Sequence, residues 1–284
     1  MTDAREATNG VGVIRWPAEA IWEAVAPDLP GFTVEVLPHI DSTNTELMRR
    51  AHAGQLEPIL LVAEQQTAGR GRMGRQWQSE VAGAKTPSGG SAIRAATSVG
   101  AISLTFSLGL PLSPADWSGL SLAVGISVAQ SLHPDLRLKW PNDIWLQGRK
   151  LAGILIETAS FAGSRYVVIG VGINIAARSA EGLSTPPAWL AEVLPGVDAP
   201  QALLRLVPPL VRAVQVFETH GFAPLRQRFD ALDALTGRAV VLSDGTSGTA
   251  RGVDASGALL VHTSSGMKTI NTSEVSVRPA VAGC

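Results

Sequence analysis

Apolar positions along this chain change their period several times, and each change marks an element. Ile21, Trp22 and Val25 recur at helical spacing between Pro17 and Ala26. This predicts a short amphipathic helix that turns all three inward and stops at Pro27. Positions 34–37 alternate as a strand. Asp41-Ser42-Thr43-Asn44 opens a second helix, with Thr43 and Glu46 at capping-box spacing and Gly54 closing it. The run Ile59-Leu60-Leu61-Val62-Ala63-Glu64 reads as a buried strand leading into a glycine- and arginine-rich loop. From 78 to 100 the chain is rich in Gly, Ala and Ser without any period, which predicts a flexible loop.

Positions 102–108 form a strand. Ser113-Pro114 is expected to cap a long helix to Leu132, with Asp116 in its first turn. That helix has no charge after Asp116 and should be central. Positions 136–140 and 144–146 flank a turn at Pro141-Asn142-Asp143, and 150–158 with 165–172 make a hairpin. Residues 187–232 look helical, interrupted at Pro208-Pro209. After Thr236 come short strands at 238–242, 249–253, 259–262, 267–270 and 275–277, separated by Asp-Gly, Ser-Gly and Ser-Ser-Gly turns, the pattern of a small barrel. The domain boundary falls at about Leu235.

Composition narrows the class. The chain has 284 residues, 45% hydrophobic and 17% charged, which suits a globular protein with a large core and argues against disorder. A formal net charge of −1 gives no overall basic footprint for nucleic acid, so electrostatic work must be local. The single cysteine, Cys284, can form no intrachain disulfide, which suits a reducing cytoplasm. Residues 1–12 lack the apolar core of a signal peptide. The apolar stretch at 120–132 is too short and too polar to span a membrane. His39, His52, His133, His220 and His262 are scattered and do not make a metal site.

Candidate chemistry lies in four segments. Gly69-Arg70-Gly71-Arg72-Met73-Gly74-Arg75-Gln76-Trp77 alternates glycine with arginine and ends on an aromatic. It is either an anion clamp beside a flat ring or a solvated basic loop. Lys139-Trp140-Pro141-Asn142-Asp143 places a lysine and a tryptophan just before a turn. Lys150-Leu151-Ala152-Gly153-Ile154-Leu155-Ile156-Glu157 carries a glycine inside a strand, either a packing glycine or a point of close approach. Gly170-Val171-Gly172-Ile173-Asn174 ends the next strand on small residues and an amide. Arg70, Arg72, Arg75, Lys139 and Lys150 supply cations, Trp77 and Trp140 two aromatic plates, and Ser42, Thr43 and Asn44 neutral polar groups at a helix start. No acid pair or Ser-His-Asp set competes with them. Cations without a strong nucleophile suit the activation of one anion by another, such as a carboxylate attacking the α-phosphate of a nucleotide.

Those segments, preceded by Glu64-Gln65-Gln66-Thr67-Ala68, strongly resemble the biotin–protein ligases, also called biotin–[acetyl-CoA-carboxylase] ligases. The motifs stand in the family's order and at its intervals from about Asp41 to Asn174, and the likeness extends weakly into the C-terminal barrel. The resemblance implies an α+β fold, a mixed sheet with helices on one side, followed by a small SH3-like barrel. It divides the chain into a catalytic domain, 1–235, and a barrel domain, 236–284. It implies that biotin and ATP give biotinyl-5′-adenylate, which then biotinylates a lysine of a carrier domain. Ser42, Thr43, Asn44 and Gln66 would hold the biotin head group. Arg70, Gly71 and Arg72 would lie over its carboxylate and the adenylate phosphate, and Trp77 would cover the adenine side. Lys139, Asn142 and Asn174 would face the nucleotide, Lys150 would reach the biotin carboxylate or the reacting phosphate, and Gly69, Gly153 and Gly172 would be further ligand-binding positions. Arg70, Arg72 and Lys150 are the implied catalytic residues. Mg2+ would accompany ATP, with its protein ligands unassigned. The implied partner is the biotin carboxyl carrier protein of acetyl-CoA carboxylase, with other biotin-dependent carboxylases as further candidates, and neither nucleic acid nor membrane.

Two departures stand out. Roughly twenty extra residues follow Ser79 before the next strand, in the stretch 80–99. Only about 40 residues precede Asp41, with one short helix and no basic recognition helix, so the expected protein is a monofunctional ligase without a DNA-binding domain. The rivals are a lipoate–protein ligase, a DNA-binding biotin sensor and a ligand-binding module without catalysis.

Overall fold

The computed structural model describes residues 14–79, 101–178, 180, 186–271 and 277–279. The main sheet comprises β1 (Thr33–Ile40), β2 (Ile59–Gln66), β3 (Ser103–Pro111), β4 (Arg137–Lys139), β5 (Asp143–Leu146), β6 (Arg149–Phe161) and β7 (Ser164–Asn174), in the spatial order β1-β2-β3-β7-β6-β5-β4. β1 and β2 are parallel, joined through a helix, and every other neighbouring pair is antiparallel, so the sheet is mixed. The helices are α1 (Ala18–Val25), α2 (Thr43–His52), α3 (Leu120–Leu132), α4 (Ala199–His220) and α5 (Arg226–Asp230).

Strand alternation sorts the side chains onto two faces. Leu60, Val62, Leu104, Phe106 and Leu108 point into the large core with residues of α1, α3 and α4, while Leu61 and Val168 point the other way and pack with Leu47 and Ala51 of α2. The larger helices therefore share one side as expected, and α2 lies across the other. Its N-terminus lies beside the functional cleft described below.

Several local expectations change. Ile21 and Val25 fill the inward stripe of α1, which leaves Trp22 half exposed. The cap of α2 is Ser42, whose side chain accepts from Thr45 N, rather than Thr43; the Thr43 hydroxyl is occupied elsewhere, and Glu46 pairs with Arg50. Ser113-Pro114 starts no helix. Asp116 Oδ1 accepts from Ser118 N to make a turn, and α3 begins after Gly119, whose φ of 80° is left-handed. A β-carbon there would meet Phe222 at 2.5 Å, a second reason for glycine. Beyond that start α3 is buried on nearly all sides, as its lack of charge predicted. Pro208 and Pro209 do not interrupt α4. The carbonyls they leave without donors belong to Leu204 and Arg205, both exposed, where water can take the place of the missing N–H.

A second sheet holds β8 (Ala239–Leu242), β9 (Ser247–Val253), β10 (Leu259–Thr263), β11 (Gly266–Ile270) and β12 (Val277–Pro279), all antiparallel in the order β11-β10-β9-β8-β12. These are the small strands read from the turn pattern. The expected start of the last strand at 275 and all but the first two residues of the flexible loop expected over 78–100 lie outside the described residues. Among the described residues, no helix is long and apolar enough to cross a membrane.

Candidate active site

A cleft of about 540 Å³ opens where the N-terminus of α2, the arginine loop and the ends of β3, β5, β6 and β7 converge. One wall is neutral and polar. Thr43 N and Thr43 Oγ1 donate to Gln66 Oε1 at 2.7 and 3.2 Å. Ser107 Oγ lies 2.7 Å from Thr43 Oγ1 and 2.6 Å from Asn44 Oδ1. Asn44 Nδ2 donates to Leu155 O and to Glu157 Oε2. Ser42, Thr43, Asn44, Gln66 and Ser107 are all buried. Their partners hold them rigid before any ligand arrives. Ser107 faces Gly170 in the β3–β7 ladder, and a β-carbon on Gly170 would lie 2.1 Å from Asn44 Oδ1. Asn44 can occupy its place only because residue 170 has no side chain.

The floor is glycine again. Gly153 and Gly172 are register partners on β6 and β7, and the Trp77 ring lies over Gly172 so closely that a β-carbon would be 2.4 Å from it. The loop that carries Trp77 folds back on itself. Trp77 N donates to Gly69 O at 2.9 Å, Gly71 N donates to Arg75 O at 2.7 Å, and Met73 and Gly74 turn through positive φ. Gly69 does not line the cleft; it sits at the loop's root, where a β-carbon would strike Trp77 O at 2.3 Å. Arg70 pairs with Glu157 at 3.0 Å, and Arg72 Nη1 donates to Asn142 Oδ1 at 3.3 Å. Burial pushes the Arg72 guanidinium below its ordinary pKa, with Asp143 opposing the shift.

The remaining wall is cationic, and a β-bulge builds it. β5 and β6 pair Asp143 with Gly153 and Ile144 with Ala152, then slip so that Trp145 pairs with Lys150. The slip lets Leu151 and Ala152 both enter the core and turns Lys150 to the cleft. Lys150 Nζ reaches Asp143 Oδ1 at 2.6 Å, and Lys139 Nζ stands 3.7 Å from Asp143 Oδ2. Lys139 has a largely buried side chain; desolvation lowers its pKa most strongly, Asp143 opposes, and Lys150 and Arg75 add to the lowering. Asn142 Nδ2 donates to Ile154 O, and Asn174 Nδ2 to Ala188 O, so both amides brace the rim as well as line it.

Every site residue expected from the sequence except Gly69 and Trp140 therefore lines one cleft. Trp140 is not an aromatic plate of the site. It is fully buried, with its indole N–H donating to Gly257 O, and Trp145 lines the cleft instead. The sequence reading missed the pairing role of Asp143, and also Ser107, Glu157, Trp145 and Arg178. Ser107 had a signal: Ser103, Thr105 and Ser107 alternate with Leu104, Phe106 and Leu108, which marks a polar face on a buried strand. Arg178 had none. It donates to Gln78 O, Gln78 Oε1 and Asn174 Oδ1, and stands 5.9 Å from the centre of the Trp77 ring. The indole N–H groups of Trp77 and Trp145 are shielded from water and have no hydrogen-bond partner among the described residues. Among the described residues, no cluster of three or more His, Cys, Asp or Glu could hold a metal.

Residues 36–174 match the Biotin/lipoate A/B protein ligase family, and residues 236–278 match the Biotin protein ligase C terminal domain. The chain is 37% identical to the bifunctional ligase/repressor BirA of Escherichia coli over 89% of its own length and 76% of that protein. It is 34% identical to the biotin–[acetyl-CoA-carboxylase] ligase of Paracoccus denitrificans, over 84% of this chain and 98% of that one. Among solved structures, the biotin protein ligase of Aquifex aeolicus in complex with biotin and ATP superposes with a TM-score of 0.69 at 26% identity, covering 87% of this chain and 99% of that one.

Proposed function

The chain belongs to the biotin/lipoate A/B protein ligase family, and on that premise we propose that it activates biotin with ATP and transfers it to a lysine of the biotin carboxyl carrier protein of acetyl-CoA carboxylase. The observation that carries the reading is the cleft's polarity, neutral and buried at one end and cationic at the other. A flat, uncharged ureido ring suits the Ser42, Thr43, Asn44 and Gln66 end, where every polar group is already oriented. A carboxylate tail then extends under the arginine loop towards Lys150.

The first step brings two anions together. A carboxylate oxygen of biotin attacks the α-phosphorus, the bond to the β-phosphate breaks, and pyrophosphate leaves. Arg70, Arg72 and Lys150 lower the repulsion and stabilise charge that grows on the phosphate oxygens. Lys139 and Asn142 face the nucleotide, and Trp77 covers its base. The indole N–H groups without partners give donors that an acceptor-rich ligand would satisfy. In the second step the carrier lysine's neutral amine attacks the acyl carbon, AMP departs, and the amine loses a proton.

Mg2+ enters this scheme with ATP. Asp143 is the carboxylate beside the cationic wall, but its two oxygens face Lys150 and Lys139, so the metal would be held chiefly by phosphate oxygens. Residues 1–235 form the ligase domain and 236–284 the C-terminal domain, a division supported by the family match that starts at 236. The reading places the protein in the cytoplasm and gives it no nucleic-acid partner.

Mass spectrometry of a carrier domain incubated with the protein, ATP, Mg2+ and either biotin or lipoate tests the proposal. A biotin-sized mass gain that requires ATP supports it. A gain only with lipoate, or no gain with either, overturns it.

A further inference from the structure

The segment 138–143 exposes Lys139, Pro141, Asn142 and Asp143 to the cleft, while its back is held by residues far along the chain. Leu138 N donates to Leu232 O and Ala234 N donates to Leu138 O, both at 2.8 Å. Ser121 Oγ of α3 donates to Pro141 O at 3.1 Å. Between these lies Trp140, fully buried, whose Nε1 donates to Gly257 O at 3.0 Å.

Gly257 belongs to the turn between β9 and β10 of the small sheet. Its φ of 85° is left-handed, and a β-carbon there would stand 3.0 Å from Gly119 Cα and 3.1 Å from Leu122. The turn sits directly against the start of α3. It is also stiff: Asp254 Oδ1 accepts from Ser256 N, Ser256 Oγ and Ala258 N, Asp254 N donates to Ala258 O, and Gly257 N donates to Asp254 O. The carbonyl that receives Trp140 therefore points in one fixed direction.

We propose that Trp140 is a positioning residue for the nucleotide, and that the Asp254 turn acts through it to set Lys139 and Asn142 at the cleft. A buried hydrogen bond with one rigid partner fixes the indole, and the indole fixes the backbone from 139 to 142. The head-group wall draws on α2, β2, β3, β7 and, through Leu155 and Glu157, β6, but among the described residues none of its side chains bonds to Trp140 or to the Asp254 turn, so the brace acts on the nucleotide end of the cleft. The inference rests on the reading of the cleft as a biotin and ATP site.

The test compares wild type with Trp140→Phe, Asp254→Ala and Asp254→Asn, all as the full chain. Pyrophosphate release gives the KM for each substrate, calorimetry gives biotin affinity without ATP, and hydrogen exchange follows the amides of 139, 140, 142 and 143. Trp140→Phe keeps an aromatic ring but loses the donor together with part of the buried indole's volume. It should raise the ATP KM about tenfold, speed exchange at those amides and leave biotin affinity within about twofold of wild type. Asp254→Ala should do the same, while Asp254→Asn keeps the acceptor oxygen and should restore wild-type values. Unchanged ATP KM and unchanged exchange in both Trp140→Phe and Asp254→Ala would overturn the proposal. So would parallel weakening of biotin and ATP with a matching fall in Tm, which signals support of the fold alone. A wild type that releases no pyrophosphate would sink the ligase reading, and exchange at 139–143 would then still decide the pinning by itself.

Discussion

Lys150 Nζ lies 2.6 Å from Asp143 Oδ1, and the two residues meet because β6 carries one extra residue relative to β5. The bulge turns a lysine that regular alternation would bury away from the cleft into one that projects over it. Asp143 holds the ammonium in place without enclosing it, since the Lys150 side chain is 42% exposed. Such a group can leave its carboxylate for a phosphate oxygen at little desolvation cost.

Lys150→Ala removes that donor from the reacting oxygens. Pyrophosphate release should fall by ~100- to 1,000-fold in kcat, the usual cost of one lost transition-state donor, with biotin binding much less affected. Adenylate formation at the wild-type rate would remove Lys150 from the mechanism.

Gly170→Ala tests the neutral wall. The new methyl would overlap Asn44 Oδ1, 2.1 Å away, and drive the amide from Ser107. Overpacking of this kind costs about 1–3 kcal/mol of stability, and the displaced amide should weaken biotin binding by at least about fivefold. Titration calorimetry without ATP reads it, and a wild-type Kd would show that Asn44 does not shape the head-group site.

Lys139 gives a pH dependence whose sign follows from its burial. Its pKa is lowered from the ordinary 10.5, chiefly by desolvation, so between the lowered value and 10.5 the unfolded chain binds more protons than the folded one. Through that window the ligand-free protein should gain stability as pH rises, because the cost of burying an ammonium disappears. A bound nucleotide favours the ammonium, so ATP should bind with proton uptake within that same window. Calorimetry in buffers of different ionisation enthalpy measures this uptake. Lys139→Arg, which stays charged, should abolish it, and its absence in wild type would refute the assignment.

Arg178 ties the exit of the arginine loop to the end of β7 through Gln78, Asn174 and the Trp77 ring. Arg178→Ala should lower kcat/KM for ATP by roughly tenfold, and Arg178→Lys should recover only part of it, since an ammonium cannot reproduce the planar fork. Full activity in the lysine variant would reduce the role of Arg178 to bare charge.

Much of this architecture was legible from residue pattern. The Val, Ile and Leu runs of β2, β3, β6 and β7 announce a buried sheet, and the Gly-punctuated strands after 236 announce a second one. The motif segments from Ser42 to Asn174 meet in one cleft, as their order implied. What the pattern hid depends on tertiary contact. A tryptophan beside a lysine reads equally as a site aromatic or a core residue, and only the carbonyl of Gly257 decides for Trp140. The bulge at Leu151 has no signature of its own, and a strictly alternating strand would have sent Lys150 the wrong way. Pro208 and Pro209 read as a helix break because sequence cannot show that Leu204 and Arg205 offer their carbonyls to water.

The bond from Trp140 to Gly257 spans 117 positions of the chain. During synthesis the ribosome makes the tryptophan long before its acceptor exists. At about 5–20 residues per second the interval is roughly 6 to 23 seconds. In that time the neutral wall, whose partners end at Gly170, can assemble on the nascent chain, while the cationic wall still lacks its brace. The neutral residues of the cleft can thus come together on the growing chain before the bond that pins Trp140 has its second partner.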